Sequence, residues 1–162
     1  SHTVIYSNQF GVIQFNNMIK VDGTTGKSGV DVYETAASMD VSDALNVGVA
    51  YSDDKVNSIQ YKGIGASYDI SDATTIGYNH TIKEAELTDL TTTANEFTVS
   101  TLVGNTTFSG GYGKVEDGNA YTTVGAEKKI GDNFSVYGAF EMTDPASGVD
   151  TQDAAAGIKF TF

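Results

Sequence analysis

This sequence contains no cysteine, no tryptophan and a single proline among 162 residues, and its nine basic residues are all lysine. Without cysteine there is no disulfide framework and no thiolate metal site. Without arginine, and with a formal charge of −12, the chain lacks the clustered positive charge that phosphate backbones require, which argues against nucleic acid. A basic amphipathic helix for a membrane surface is missing as well. Long apolar runs are also absent. Stretches free of strongly polar residues are short, as at Val47–Tyr51, whereas a membrane-spanning helix needs ~20 apolar residues. The opening Ser1-His2-Thr3-Val4 has neither the basic start nor the apolar stretch of a secretory signal. Length and composition fit one domain over residues 1–162.

Alternation of apolar and polar residues dominates, and helical periodicity is scarce. The connectors come in two kinds. Short ones rich in Asp, Asn, Gly and Ser lie at Val41–Leu45, Ile70–Thr74, Gly104–Thr106 and Ile130–Phe134, with good local chemistry for tight hairpins. Longer acidic ones lie at Asp22–Ser28, Ser52–Val56, Glu84–Thr92, Val115–Asn119 and Thr143–Gln152. The two kinds alternate. The segments between them predict ten strands: 11–21, 29–41, 44–52, 57–70, 74–83, 94–103, 106–114, 120–130, 134–142 and 153–162. Eight or twelve result if the first segment is divided differently; residues 1–10 stand as a periplasmic tail or the start of strand one. Strands of ~9–13 residues suit a tilted bilayer crossing and exceed the usual length in soluble sheets.

Each strand has one bulky apolar side and one small or polar side, because successive side chains point to opposite faces. Phe134, Val136, Phe140 and Met142 oppose Ser135, Tyr137, Ala139 and Glu141; Leu45, Val47, Val49 and Tyr51 oppose Asn46, Gly48, Ala50 and Ser52. The fourth strand is less regular, with Ile59 and Tyr61 opposite Ile64, Ala66, Tyr68 and Ile70, which a bulge near Lys62-Gly63 would explain. The second side carries Gly48, Ala50, Gly63, Gly65, Ser67, Gly77, Gly111, Gly113, Gly125, Ala139, Ala155 and Gly157. Glycine weakens a solvated strand, but small residues suit the lining of a narrow barrel. The bulky side then faces lipid. Aromatics gather at two levels, Tyr33, Tyr51, Tyr112 and Phe140 toward the longer connectors, and Tyr68, Phe108, Phe134, Phe160 and Phe162 toward the short turns. Two such girdles mark the two lipid interfaces of a transmembrane barrel. The expected fold is an all-β, antiparallel, up-and-down transmembrane β-barrel in a bacterial outer membrane. With an even strand count, both ends lie on the periplasmic, short-turn side.

The last hairpin, Phe134-Ser135-Val136-Tyr137-Gly138-Ala139-Phe140-Glu141 followed by Asp153-Ala154-Ala155-Ala156-Gly157-Ile158-Lys159-Phe160-Thr161-Phe162, resembles the end of Gram-negative general porins. Ser42–Tyr51 and Ser71–Tyr78 also resemble porin turn-plus-strand units. The resemblance implies an aromatic-ended strand read by the outer-membrane insertion machinery, here Ile158, Phe160 and Phe162, and a trimeric assembly. Departures accompany it. General porins have about sixteen strands, more than 162 residues supply. No candidate for their long constriction loop is present, and the arginines of their constriction wall have no counterpart.

No constellation for catalysis emerges. His80 shares parity with Ile76, Tyr78 and Ile82, which points it toward lipid and away from any Ser or carboxylate partner. Ser109-Gly110-Gly111-Tyr112-Gly113-Lys114 is a glycine-rich strand with no following helix to cradle phosphate. The sequence predicts no cofactor, no metal centre and no enzyme. Parity places a polar set on the inward side: Lys20, Glu34, Asp40, Asp69, Asn79, Lys83, Glu96, Glu127, Lys129, Glu141 and Lys159, with Gln14 and Asn16. These line a channel whose acidic excess favours cations, or pair and close the lumen. The acidic connectors are solvated charge or contacts to divalent cations held with lipopolysaccharide. Three functions compete: a porin-like channel for ions and small hydrophilic solutes, a closed structural or adhesive barrel acting through its loops, and a soluble barrel holding an apolar ligand. The expected partners are outer-membrane lipid, lipopolysaccharide, the insertion machinery and small polar solutes.

Overall fold

The computed structural model describes residues 2–21 and 29–160. Its regular elements are all strands: β1 (His2–Phe10), β2 (Ile13–Val21), β3 (Val32–Ser42), β4 (Leu45–Asp54), β5 (Ile59–Ser71), β6 (Thr74–Ala85), β7 (Leu90–Val103), β8 (Thr106–Val115), β9 (Ala120–Gly131), β10 (Phe134–Asp144) and β11 (Thr151–Phe160). They hydrogen-bond in chain order as one up-and-down sheet, with no crossover. Packing divides the described residues into two units, one running to Ala66 and including Asn79–Thr93, the other made of Ser67–Tyr78 and the chain from Ala94 onward.

The ten expected strands correspond to β2–β11, and β1 is an eleventh. It pairs with β2 along its whole length, from His2 opposite Val21 to Phe10 opposite Ile13. The hairpin turns on Gly11, whose φ of +63° lies in the left-handed region that side chains with a Cβ rarely adopt. Residues 2–10 therefore form a strand of the sheet. His2 lies opposite Val21, beside the connector at 22–28, whereas Phe160 lies opposite Phe134, beside a short turn.

The short turns form where the sequence places them. The Ser42 hydroxyl accepts hydrogen bonds from the Ala44 and Leu45 amides at 3.3 and 3.1 Å, and the Ser71 hydroxyl accepts one from Ala73 at 3.3 Å. Gly104, at φ +63°, turns β7 into β8. Asn105 ties that turn to β9, donating from its side chain to the Lys129 carbonyl at 2.6 Å and accepting from the Lys129 amide at 2.9 Å. The acidic connectors are tighter than expected. Between β6 and β7 only Glu86–Asp89 remain outside strands, where the sequence suggested Glu84–Thr92. Ser58, Asp89 and Asp117 each take a positive φ of 52–55°, which closes these hairpins in four residues. The connector at Asp22–Ser28 lies outside the described residues.

Among the described residues no hydrophobic side chain is buried. The buried polar residues are Asp31 and Ser135, while Val49 (55% exposed), Val124 (53%), Phe97 (59%) and Ile158 (61%) stand in the open. A soluble domain hides such groups in a core, and that burial is its main source of stability.

Candidate functional site

The strand register sorts the side chains into two faces. In the second unit, Glu96 lies opposite Gly113, which lies opposite Tyr121; one row on, Thr98, Gly111, Thr123 and Glu141 align, followed by Asp153. Toward the short turns, Thr107, Glu127, Tyr137 and Gly157 form one row and Lys129, Ser135 and Lys159 the next. Glu96, Glu127, Lys129, Glu141 and Lys159 thus share a face. The opposite face carries Phe97 with Tyr112 and Thr122, then Val99, Gly110, Val124 and Phe140.

In the first unit the same sorting puts Lys20 with Val32, Met18 with Glu34 and Ser52, and Asp40 with Asn46 on one side. A Cβ built on Gly63 would stand 4.0 Å from the Ala50 Cβ and 3.9 Å from the Thr81 hydroxyl, so Gly63 and Thr81 share that side. By alternation Tyr61, Asn79 and Lys83 do too, and the Lys83 ammonium lies 6.0 Å from the centre of the Tyr61 ring. Regular alternation therefore accounts for Ile59 and Tyr61. His80, one residue from Thr81, falls on the apolar side. In the second unit, Thr74 meets Thr101 at 2.8 Å on the apolar side, so its neighbour Thr75, bonded to Asp69, marks the polar one.

The polar face is locally organised. The Ser135 hydroxyl donates to Glu127 Oε1 at 2.7 Å, and the same oxygen lies 3.8 Å from Lys159 Nζ. The Asn46 side chain donates to Asp40 Oδ1 at 2.8 Å. Ser135 is buried, so removing its hydroxyl strands part of the acceptor capacity of Glu127. Ser135→Ala is expected to cost about 1 kcal/mol, read as a shifted urea midpoint for folding into lipid vesicles; an unmoved midpoint would contradict this assignment.

Two tyrosines on the polar face were not singled out by sequence reasoning. Tyr121 lies across Gly113, and Tyr137 lies across Gly157, where an added Cβ would come 2.5 Å from the phenol oxygen. Each ring covers the strand position where the neighbour has no side chain. Parity within one strand shows that Tyr137 accompanies Ser135 and Glu141. Only the register shows which glycine it covers.

The apolar face carries aromatic pairs at both levels. The rings of Tyr33 and Tyr51 lie 6.4 Å apart near the longer connectors, and those of Phe134 and Phe160 5.1 Å apart near a short turn. In the second unit Tyr78 packs on Phe97 at 4.8 Å and donates its hydroxyl to Asn95 at 2.7 Å. Ile158 and Phe160 lie on this face, and Phe162 lies outside the described residues.

A sheet with bulky apolar groups exposed on one face, where the charges include Lys62 paired with Glu84, Lys114 and Lys128, with aromatic pairs at two levels and small and ionised groups on the other face, has the pattern of a transmembrane β-barrel wall. Comparison with known proteins gives that wall its type. No family model matches the chain, and no curated protein matches it. Solved porin structures do. A triple mutant of the Rhodopseudomonas blastica porin superposes with a TM-score of 0.73 at 17% identity, over 99% of this chain and 55% of that one. Another substituted form of the Rh. blastica porin reaches 0.76 at 17% identity, with the same coverage of both chains. An anion-selective porin from Comamonas acidovorans gives 0.73 at 16% identity, over 99% of this chain and 59% of that one. The chain has the fold of a porin β-barrel wall, and it spans just over half the length of the porins it matches.

Proposed function

We propose that this chain forms the wall of a bacterial outer-membrane pore through which ions and small hydrophilic solutes diffuse, with no chemical step. The observation that carries the reading is the sorting of side chains: bulky apolar groups exposed on one face, ionised groups and small residues on the other, within a porin fold. Hydrocarbon satisfies the first face and water the second. The lining on this reading is Lys20, Glu34, Asp40, Asp69, Asn79, Lys83, Glu96, Glu127, Lys129, Glu141 and Lys159. Six carboxylates against four lysines give a mild preference for cations. The closed or adhesive alternative is disfavoured by connectors of four residues between β4 and β5, β6 and β7, and β8 and β9, too short for a platform.

The same reading supplies the partners. Lipid meets the apolar face, and lipopolysaccharide meets the acidic connectors through shared divalent cations. Ile158 and Phe160, with Phe162, are the signal that the insertion machinery reads, and copies assemble as trimers. Planar-bilayer recording tests the central point. Stepwise conductance with a reversal potential favouring potassium over chloride is expected. Absence of conductance above bare lipid would end the pore reading, and a reversal potential favouring chloride would end the charge reading alone.

A further inference from the structure

We propose that the polar face of the first unit holds a binding recess for small zwitterions with an apolar side chain, solutes of the amino-acid type. The inference rests on the pore reading, since the recess then opens onto the solute path, and it adds a substrate class to that reading.

Two adjacent rows across the strands create the recess. One row reads Ile5, Met18, Glu34, Ser52 on β1 to β4; the next reads Ser7, Asn16, Ala36, Ala50. Gly63 of β5 continues the second row beside Ala50. The floor is therefore made of Ala36, Ala50 and Gly63, while Ile5 and Met18 rise on one side and Tyr61 on the other. The resulting hollow measures about 370 Å³, in the range of small-molecule sites. Its walls are largely apolar, with a few polar groups placed at defined points.

Charge of both signs stands at the hollow: Glu34 lies in its lining and Lys83 outside the lining beside Tyr61, while Lys62, which also lines it, is paired with Glu84. Glu34 lines the hollow, and its carboxylate accepts an ammonium group. The Tyr61 ring also lines it, and the Lys83 ammonium stands 6.0 Å from the centre of that ring, placed to answer a carboxylate. A plain amine is repelled by Lys83 and a plain carboxylate by Glu34, so a molecule bearing both groups is favoured over either. Ile5, Met18 and the face of Tyr61 take an aliphatic or aromatic side chain. The hollow is open, which suits a passage: a solute must enter readily and also leave. Affinity on the order of 1 mM fits that requirement.

The test uses the full chain in detergent micelles, with L-leucine as probe and ligand-observed NMR as readout. Saturable binding of leucine is expected, about tenfold tighter than glycine, isopentylamine or 4-methylpentanoate, each of which lacks one of the three features. Glu34→Gln, which removes charge from an exposed side chain, and Ala50→Leu, which fills the floor, are each expected to weaken leucine about tenfold while far-UV circular dichroism stays unchanged. Leucine binding no tighter than glycine, or full affinity in either variant, would overturn the proposal. Bilayer recordings on the same preparation separate the two claims. Conductance without leucine binding refutes the recess and leaves the pore; leucine binding without conductance refutes the pore and leaves the recess.

Discussion

Arginine in place of Val124 is expected to cost about 2–4 kcal/mol of folding free energy in lipid vesicles, whereas arginine at the adjacent Thr123 costs less than about 1 kcal/mol. Both residues sit in the same stretch of β9, so strand propensity and depth are matched. Only the face differs. Val124 pairs with Phe140 on one side and Gly110 on the other and is 53% exposed. With that face turned to lipid, a guanidinium there must enter hydrocarbon. Thr123 pairs with Glu141 and Gly111, so a guanidinium meets a carboxylate and water. Urea titration of vesicle-folded protein measures both. Equal costs, or a larger cost at Thr123, would mean that the faces have been assigned the wrong way round.

The second large effect concerns glycine. Leucine at Gly113 is expected to destabilise by about 1–3 kcal/mol, the usual range for overpacking, because its Cβ would fall within the ring of Tyr121. The ring has to leave, uncovering β8 and shifting a phenol that lies between Glu96 and Glu141 on the polar face. Gly110, on the opposite face, is the control: a Cβ there meets Val99 Cγ1 at 3.5 Å, ordinary contact, and Gly110→Ala is expected to stay within about 0.5 kcal/mol. The mechanism makes a further demand. If ring and glycine act as a pair, Gly113→Leu and Tyr121→Ala will couple by about 0.5–3 kcal/mol in a double-mutant cycle. Additive effects would show that the penalty arises elsewhere.

Much of the wall was legible in the sequence because a strand's two faces are written in its own alternation. Val47, Val49 and Tyr51 against Asn46, Gly48 and Ala50 need no partner to be read, and Ser42-Asp43, Ser71-Asp72 and Gly104-Asn105 mark turns by chemistry that is local. β1 was harder. Val4-Ile5-Tyr6 breaks strict alternation, and the turn at Phe10-Gly11-Val12-Ile13 has no Asp, Asn or Ser, so one glycine at positive φ is its whole signal. The acids and leucines of 84–92 read as loop, yet Thr91 and Thr92 extend β7.

The candidate site was legible to a lesser degree, for a physical reason. Which residues share a face is a property of one strand; which residues meet is a property of register, and register is set between strands. Glu127 with Ser135 and Lys159, Tyr121 over Gly113, and the small floor of Ala36, Ala50 and Gly63 each draw on two or three strands. The recess beside Tyr61 could not be inferred from β5 alone, where that tyrosine looked like an irregularity.

Orientation of the faces can be measured directly, because the chain has no cysteine and single cysteines introduce one label each. Spin labels at every position from 121 to 127 in β9, in lipid vesicles, report collision with oxygen, which concentrates in hydrocarbon, and with a water-soluble nickel complex. Oxygen access should peak at 122, 124 and 126, and nickel access at 121, 123, 125 and 127. A reversed pattern, or none with a period of two, would contradict an apolar face turned to lipid around a water-filled passage.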